Sequence, residues 1–137
     1  MKYVFEVLEE VQKAKTKPEK VAILKKNETW ALKDVLRGSI DPVIKWHFPK
    51  GEVPYTPSEA HNHPTNLLRE NKKFIYFAVG GKGDNLPAFK RERLFLGILE
   101  SVHPKDAELL VDMINKKAPK GVTKAIVKEA FPGLIRE

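Results

Sequence analysis

The sequence predicts an all-α protein, a compact bundle of about six to seven short helices. Three observations carry that prediction. Apolar residues recur at i, i+3, i+4 and i+7 along most of the chain. The breaks between these runs hold Pro, Gly, Asn and Thr, the residues that start and stop helices. No run shows the strict alternation of a half-buried strand.

Val4, Val7, Leu8 and Val11 give the first helix one apolar stripe. Lys15-Thr16-Lys17 breaks it, and Pro18 then suits a first helical position with Thr16 or Lys17 near the cap. Val21, Ile23 and Leu24 mark a short second helix ending near Asn27. Trp30, Leu32, Val35 and Leu36 mark a third, which Gly38 is expected to close. Residues 39–63 hold Pro42, Pro49, Pro54 and Pro57 and are the least regular part. Their apolar weight, Val43, Ile44, Trp46 and Phe48, predicts a packed crossing, because a long structureless loop inside a compact domain is unusual. Pro64 is placed to start the next helix, with Leu67, Leu68, Asn71, Phe74, Ile75 and Ala78 on its core face. Gly80 to Asn85 then forms a flexible turn. Leu94, Phe95, Ile98, Leu99 and Val102 form the stripe of another helix. Pro104 begins the next, with Ala107, Leu110, Val111 and Ile114 buried. A last helix starts near Gly121 and stops before Pro132.

The 137 residues fit one domain, 1–137, and 42% hydrophobic residues supply a core. No apolar run approaches the length of a membrane span. The start, Met1 to Glu6, lacks the apolar core of a signal peptide, and the absence of cysteine removes disulfides and thiolate metal sites. Cytoplasm is the expected compartment.

The net charge of +7 attracts anionic partners: nucleic acid, membrane surface or acidic protein. Residues 1–50 carry 11 Lys+Arg against 7 Asp+Glu, with the cations gathered in short loops. Two lysine-rich turns leading into helices, at 15–20 and 116–124, resemble each other. The second, from Lys116 to Lys124, runs through Gly121 and Thr123 into an amphipathic helix. There Gly121 would admit a phosphate to the backbone, Thr123 would donate, and Lys117, Lys120 and Lys124 would add attraction. An ordinary N-cap is the plainer alternative. Lys15 and Lys17 belong to the first turn. Gly80-Gly81-Lys82-Gly83 fits neither a Walker nor a dinucleotide pattern, and no strand leads into it. Its expected role is a second backbone-contacting turn, with Lys90, Arg91 and Arg93 following, against the alternative of a solvated helix connection.

His61-Asn62-His63 with Glu59 lacks a third committed metal ligand. Glu9-Glu10 lies on a solvent-facing helix. No Ser/His/Asp or Cys/His nucleophile arrangement stands out, so neither catalysis nor a cofactor is expected. Trp30 and Trp46 are expected in the core.

The order of these features resembles one family, the N-terminal DNA-binding domain of T-even-type phage ATP-dependent DNA ligases. FEVLEEVQKAKTKPEKVAIL, Phe5 to Leu24, is similar to its opening helix-turn-helix. Val43-Ile44-Lys45-Trp46 with Pro49-Lys50-Gly51 is similar to the segment after its third helix, and Lys117 to Ile135, with Pro132-Gly133-Leu134-Ile135, to its end. The resemblance implies an all-α fold on the minor-groove side of duplex DNA, intact or nicked. Turns at helix N-termini would grip the sugar-phosphate backbones without reading sequence. It places one contact at Gly121, Thr123 and Lys124, and the other at Gly81, Lys82 and Gly83. The catalytic Lys-x-Asp-Gly motif is absent, since Lys82-Gly83-Asp84-Asn85 departs from it. The expectation is therefore a stand-alone, non-catalytic, phage-encoded DNA-binding module. The alternative is a ligase-like fold reused to bind a replication or transcription protein.

Overall fold

The computed structural model describes residues 2–48 and 51–136, and among these the fold is all-helical. Seven α-helices run in chain order: α1 Val4–Lys13, α2 Lys17–Lys26, α3 Trp30–Ile40, α4 Leu67–Glu70, α5 Ala88–Leu99, α6 Pro104–Ile114 and α7 Lys124–Ala130. Two short 3-10 segments, Asn71–Tyr76 and Lys82–Asn85, lie between α4 and α5. Pro49 and Lys50, part of the ligase resemblance, lie outside the described residues.

The helix starts follow the sequence. Thr16, Thr29, Asn66 and Thr123 each cap a helix, their side chains accepting from the backbone N–H three residues on. Pro18 and Pro104 occupy first-turn positions. The buried apolar residues of all seven helices join one core, in which α3 packs on α6, α1 on α2, and α2 on α7.

Four expectations need correction. Gly38 does not close α3, which runs on to Ile40. A Cβ at Gly38 would meet Trp46 Cζ2 at 2.6 Å and Met113 Sδ at 2.8 Å, so the glycine serves close packing. The fourth helix begins at Leu67 behind an Asn66 cap, not at Pro64. It soon tightens into the 3-10 segment, where the period is three. Asn71, Phe74 and Phe77 are therefore buried, and Ile75 faces out. Leu94 is exposed and Val111 only half-buried. Trp30, finally, is a surface residue, whereas Trp46 packs against the core.

The crossing at 41–48 has no helix to satisfy its backbone, so side chains do much of it. Lys116, at φ +57°, sends its Nζ inward to the carbonyls of Gly38 (2.8 Å), Asp41 (2.7 Å) and Ile44 (3.1 Å). Trp46 Nε1 donates to the Gly38 carbonyl at 3.0 Å. The buried Asp41 carboxylate accepts from Val43 N at 2.8 Å and from Arg136 N and Nε at 3.3 and 3.2 Å. Burial pushes the Asp41 pKa up, but these hydrogen bonds and the Arg136 charge outweigh it and leave the pKa low. A short antiparallel contact then lays this crossing on the 3-10 region: His47 N donates to Phe77 O, and Val79 N to Lys45 O, both at 2.8 Å.

A second buried carboxylate ties α1 to α6. Asp106 Oδ1 accepts from Phe5 N at 2.9 Å, while Oδ2 is buried and has no hydrogen-bond partner among the described residues. Burial pushes its pKa up from 3.8 to about 6, with Glu6 adding and Phe5 N and His63 opposing. Because the folded pKa is raised, this group's contribution is complete below about pH 4 and is lost as pH rises through about 6.

Lys116→Met keeps the aliphatic stem but strips the donors from three carbonyls, and is expected to lower urea-unfolding stability by about 2–3 kcal/mol. Asp106→Asn removes the titration. Relative to the parent it should gain on the order of 2–3 kcal/mol between pH 4.5 and pH 7 in chemical denaturation. A parallel pH dependence in the two proteins would refute the assignment to Asp106.

Candidate nucleic-acid interface

The two lysine-rich turns, about a hundred residues apart in sequence, meet in the fold. The α1–α2 turn and the α6–α7 loop lie side by side because α2 packs along α7. Gly121 sits against the end of α1, at φ +79°. A Cβ there would stand 2.9 Å from Gln12 Cα and 3.1 Å from Lys20 Nζ. Lys20 Nζ donates to the Gly121 carbonyl at 2.8 Å, and Lys17 Nζ pairs with Glu129 at 3.3 Å. Val122, buried, anchors the loop beneath.

Around this contact stand Lys15, Lys17, Lys117, Lys120 and Lys124, all exposed, together with Lys13. Thr123 Oγ1 accepts from Ile126 N at 3.3 Å and so caps α7, and its own hydrogen stays available to an acceptor. Gly121 is explained by packing: it lets the loop close on α1. Lys116, part of the same sequence run, points away into the α3 knot. With α7 only seven residues long, the helix dipole is a minor source of field. The positive charge of this corner is that of its lysines.

The second predicted turn is elsewhere. Gly80 and Gly81 face Ala130 to Gly133 across a surface hollow, at the C-terminal end of α7. The Lys120–Lys124 turn is at the other end of that helix, roughly 10 Å away along its axis. Gly83 is buried, and a Cβ on it would stand 1.8 Å from the Tyr76 carbonyl oxygen. At Gly81 it would stand 2.4 Å from that of Ile75. The glycines therefore admit the chain's own backbone. Asp84 accepts from Gly80 N at 3.0 Å and lies 2.7 Å from His47 Nε2, whose contact is the main reason its carboxyl titrates low. The Gly80 N–H of this turn is thus taken by the chain's own carboxylate. Arg91 turns inward, donating to the Gly83 and Leu86 carbonyls at 2.8 and 2.5 Å. Lys82 and Lys90 are exposed on this side.

His63 and His103 pack with the rings of Tyr3 and Phe5. His63 uses both ring nitrogens, facing the Tyr3 hydroxyl at 2.9 Å and the Glu59 carbonyl at 3.2 Å. His103 Nδ1 accepts from Lys105 N at 3.1 Å, and its ring lies 4.3 Å from that of Phe5.

The fold and this corner define a small basic helical-bundle protein. The chain belongs to a family of unknown function, DUF6433, whose model matches residues 7–120. The matched span takes in Lys15, Lys17, the Gly81–Gly83 turn, Lys90 and Lys120, and stops just before Gly121. No curated protein matches the chain in sequence.

Sequence reasoning missed Lys13 and Lys20 as members of the basic corner. The likeness of the two turns was the one available signal, and it gave no hint that they are neighbours. Gly121→Ala meets both a positive φ and a backbone contact. It is expected to cost about 1–3 kcal/mol in thermal or urea unfolding. A neutral effect would show that the loop does not need its approach to α1.

Proposed function

We propose that this protein binds duplex DNA through its phosphates, without catalysis and with little sequence preference. The observation that carries this reading is the meeting of the two lysine-rich turns. The two turns bring Lys13, Lys15, Lys17, Lys117, Lys120 and Lys124 together against the acids Glu19 and Glu129, and this excess of positive charge suits an anionic partner that spans several of the lysines. A phosphate backbone fits, since lysine neutralises phosphate as a flexible point charge and reads no base. Lys82 and Lys90 would be secondary contacts on another face.

The resemblance to the DNA-binding domain of T-even-type phage ligases supports the same reading. We take the protein to be a phage accessory factor acting in the host cytoplasm, where it would mark, protect or bridge DNA, intact or nicked, without sealing it. Among the described residues no helix is long and apolar enough to cross a membrane. A second reading, docking of a replication or transcription protein, is favoured by a different feature, the exposed apolar hollow around Trp30.

Fluorescence anisotropy with intact and nicked duplexes across a salt series tests the DNA reading. If four to six phosphates are neutralised, log Kd should vary against log salt with a slope magnitude of roughly 4–5. Lys120→Glu with Lys124→Glu should abolish binding in a protein whose circular dichroism is unchanged. Lys82→Glu with Lys90→Glu should weaken it less. Normal binding by the folded Lys120/Lys124 variant would end this assignment.

A further inference from the structure

Four of the six large apolar side chains that the described surface exposes lie on one hollow: Trp30 (68% exposed), Val43 (52%), Ile75 (45%) and Val79 (55%). The hollow, of about 870 Å³, runs between the start of α3, the Val79–Gly81 turn and the chain after α7. It adjoins a second of about 360 Å³ that shares Trp30, Arg37, Ile44, Ile75 and Ala78 with it. Together they form a trough with an exposed tryptophan at its middle. A cluster of exposed apolar groups framed by charge marks an interaction surface.

We propose that this trough docks an acidic peptide segment of a partner protein, one carrying a branched apolar or aromatic anchor beside Trp30. The charge of the trough selects the occupant. Lys33, Arg37 and Arg136 line it, against the one acid Glu28 in the larger hollow. Asp41, the partner of Arg136, is buried behind it, whereas Asp34, the partner of Arg37, is a mostly buried acid in the wall of the smaller hollow, where Lys72 adds a further cation. The Asp34 and Asp41 side chains are 16% and 0% exposed, while those of Arg37 and Arg136 are 39% and 59% exposed. Arg37 meets Asp34 through Nη2, and Arg136 meets Asp41 through Nε, so each guanidinium keeps donors for a second carboxylate. Lys33 Nζ sits 4.6 Å from the Trp30 ring centroid and 5.5 Å from that of Phe131, and pairs with Glu28, which steadies the tryptophan. Exposed Trp and Arg side by side have the make-up of a binding hot spot.

Other occupants fit less well. Single-stranded nucleic acid binds on successive aromatic platforms, and Trp30 is the one exposed aromatic here among aliphatic neighbours. A second copy of this chain, itself at net charge +7, would bring basic surface to basic surface. The trough lies at the opposite end of α7 from the lysine corner, so the inference does not rest on DNA binding.

The test is selection of a phage-displayed random dodecapeptide library on the intact protein, with counter-selection on Trp30→Ala. Enriched peptides should carry two or more Asp or Glu around an aromatic or branched apolar residue. Synthesised, they should bind the parent protein and lose at least tenfold in affinity to Trp30→Ala and to Val79→Asp, a surface change. They should lose a similar factor when their acids become amides, while both variants keep a native circular dichroism spectrum. Absence of any enriched peptide, enrichment of neutral or basic peptides, or equal binding to the folded variants would overturn the proposal. So would a concentration-dependent dimer in light scattering that Trp30→Ala dissolves, or oligo(dT) binding that Trp30→Ala abolishes.

Discussion

The Lys116 ammonium is the interaction on which the rest of this structure depends. The chain leaves α3 at Ile40 and enters a crossing with no helical ladder, so its carbonyls need donors from elsewhere. One side chain, arriving from the end of α6, serves three of them. Lowering of its pKa by burial, which Asp41 opposes, shows what it costs to place a cation there. Asp41 complements it by gathering Val43 N and Arg136, so the turn after α3 and the end of the described chain are fixed at one point. Trp46 closes the knot over Gly38, whose missing side chain leaves room for the indole. The trough inherits its shape from this arrangement. Arg37, Val43, Ile44 and Arg136 all hang from the knot, and the crossing then carries Ala78 and Val79 into place through its short antiparallel contact.

The basic corner is built against electrostatics. Two turns rich in lysine meet there, and several of the contacts that join them are uncharged. Lys20 donates to a carbonyl, Val122 is buried, and Gly121 closes on Gln12. The Lys17–Glu129 pair is well exposed on both sides and contributes little to stability. The trough differs in kind. Its arginines are braced by carboxylates less exposed than themselves, which fixes their direction and leaves the guanidinium groups the more accessible partners.

Glycines show how one residue type supports two stories. In sequence, Gly81, Gly83 and Gly121 suggest room for a phosphate beside the backbone. In the fold the space beside each is taken by the protein itself: the Ile75 and Tyr76 carbonyls, and the Gln12 backbone. A missing Cβ signals close approach without saying of what.

The helices were legible because they are local. Caps at Thr16 and Thr123, prolines at Pro18 and Pro104, and the stripes of α1, α3 and α6 lie within a few residues of one another, and the period names the buried face. Periodicity failed where the backbone changed its own period. The 3-10 segment moved burial from Ile75 to Phe77, and a glycine that reads as a stop proved to be a packing site. The basic charge and its gathering into two turns were also set by sequence alone. That those turns touch, that Lys116 leaves them for the interior, and that Trp30 lies outside over a trough were decided by tertiary structure. Each depends on which distant segments α2, α6 and α7 bring together, and no local pattern encodes a contact across a hundred residues.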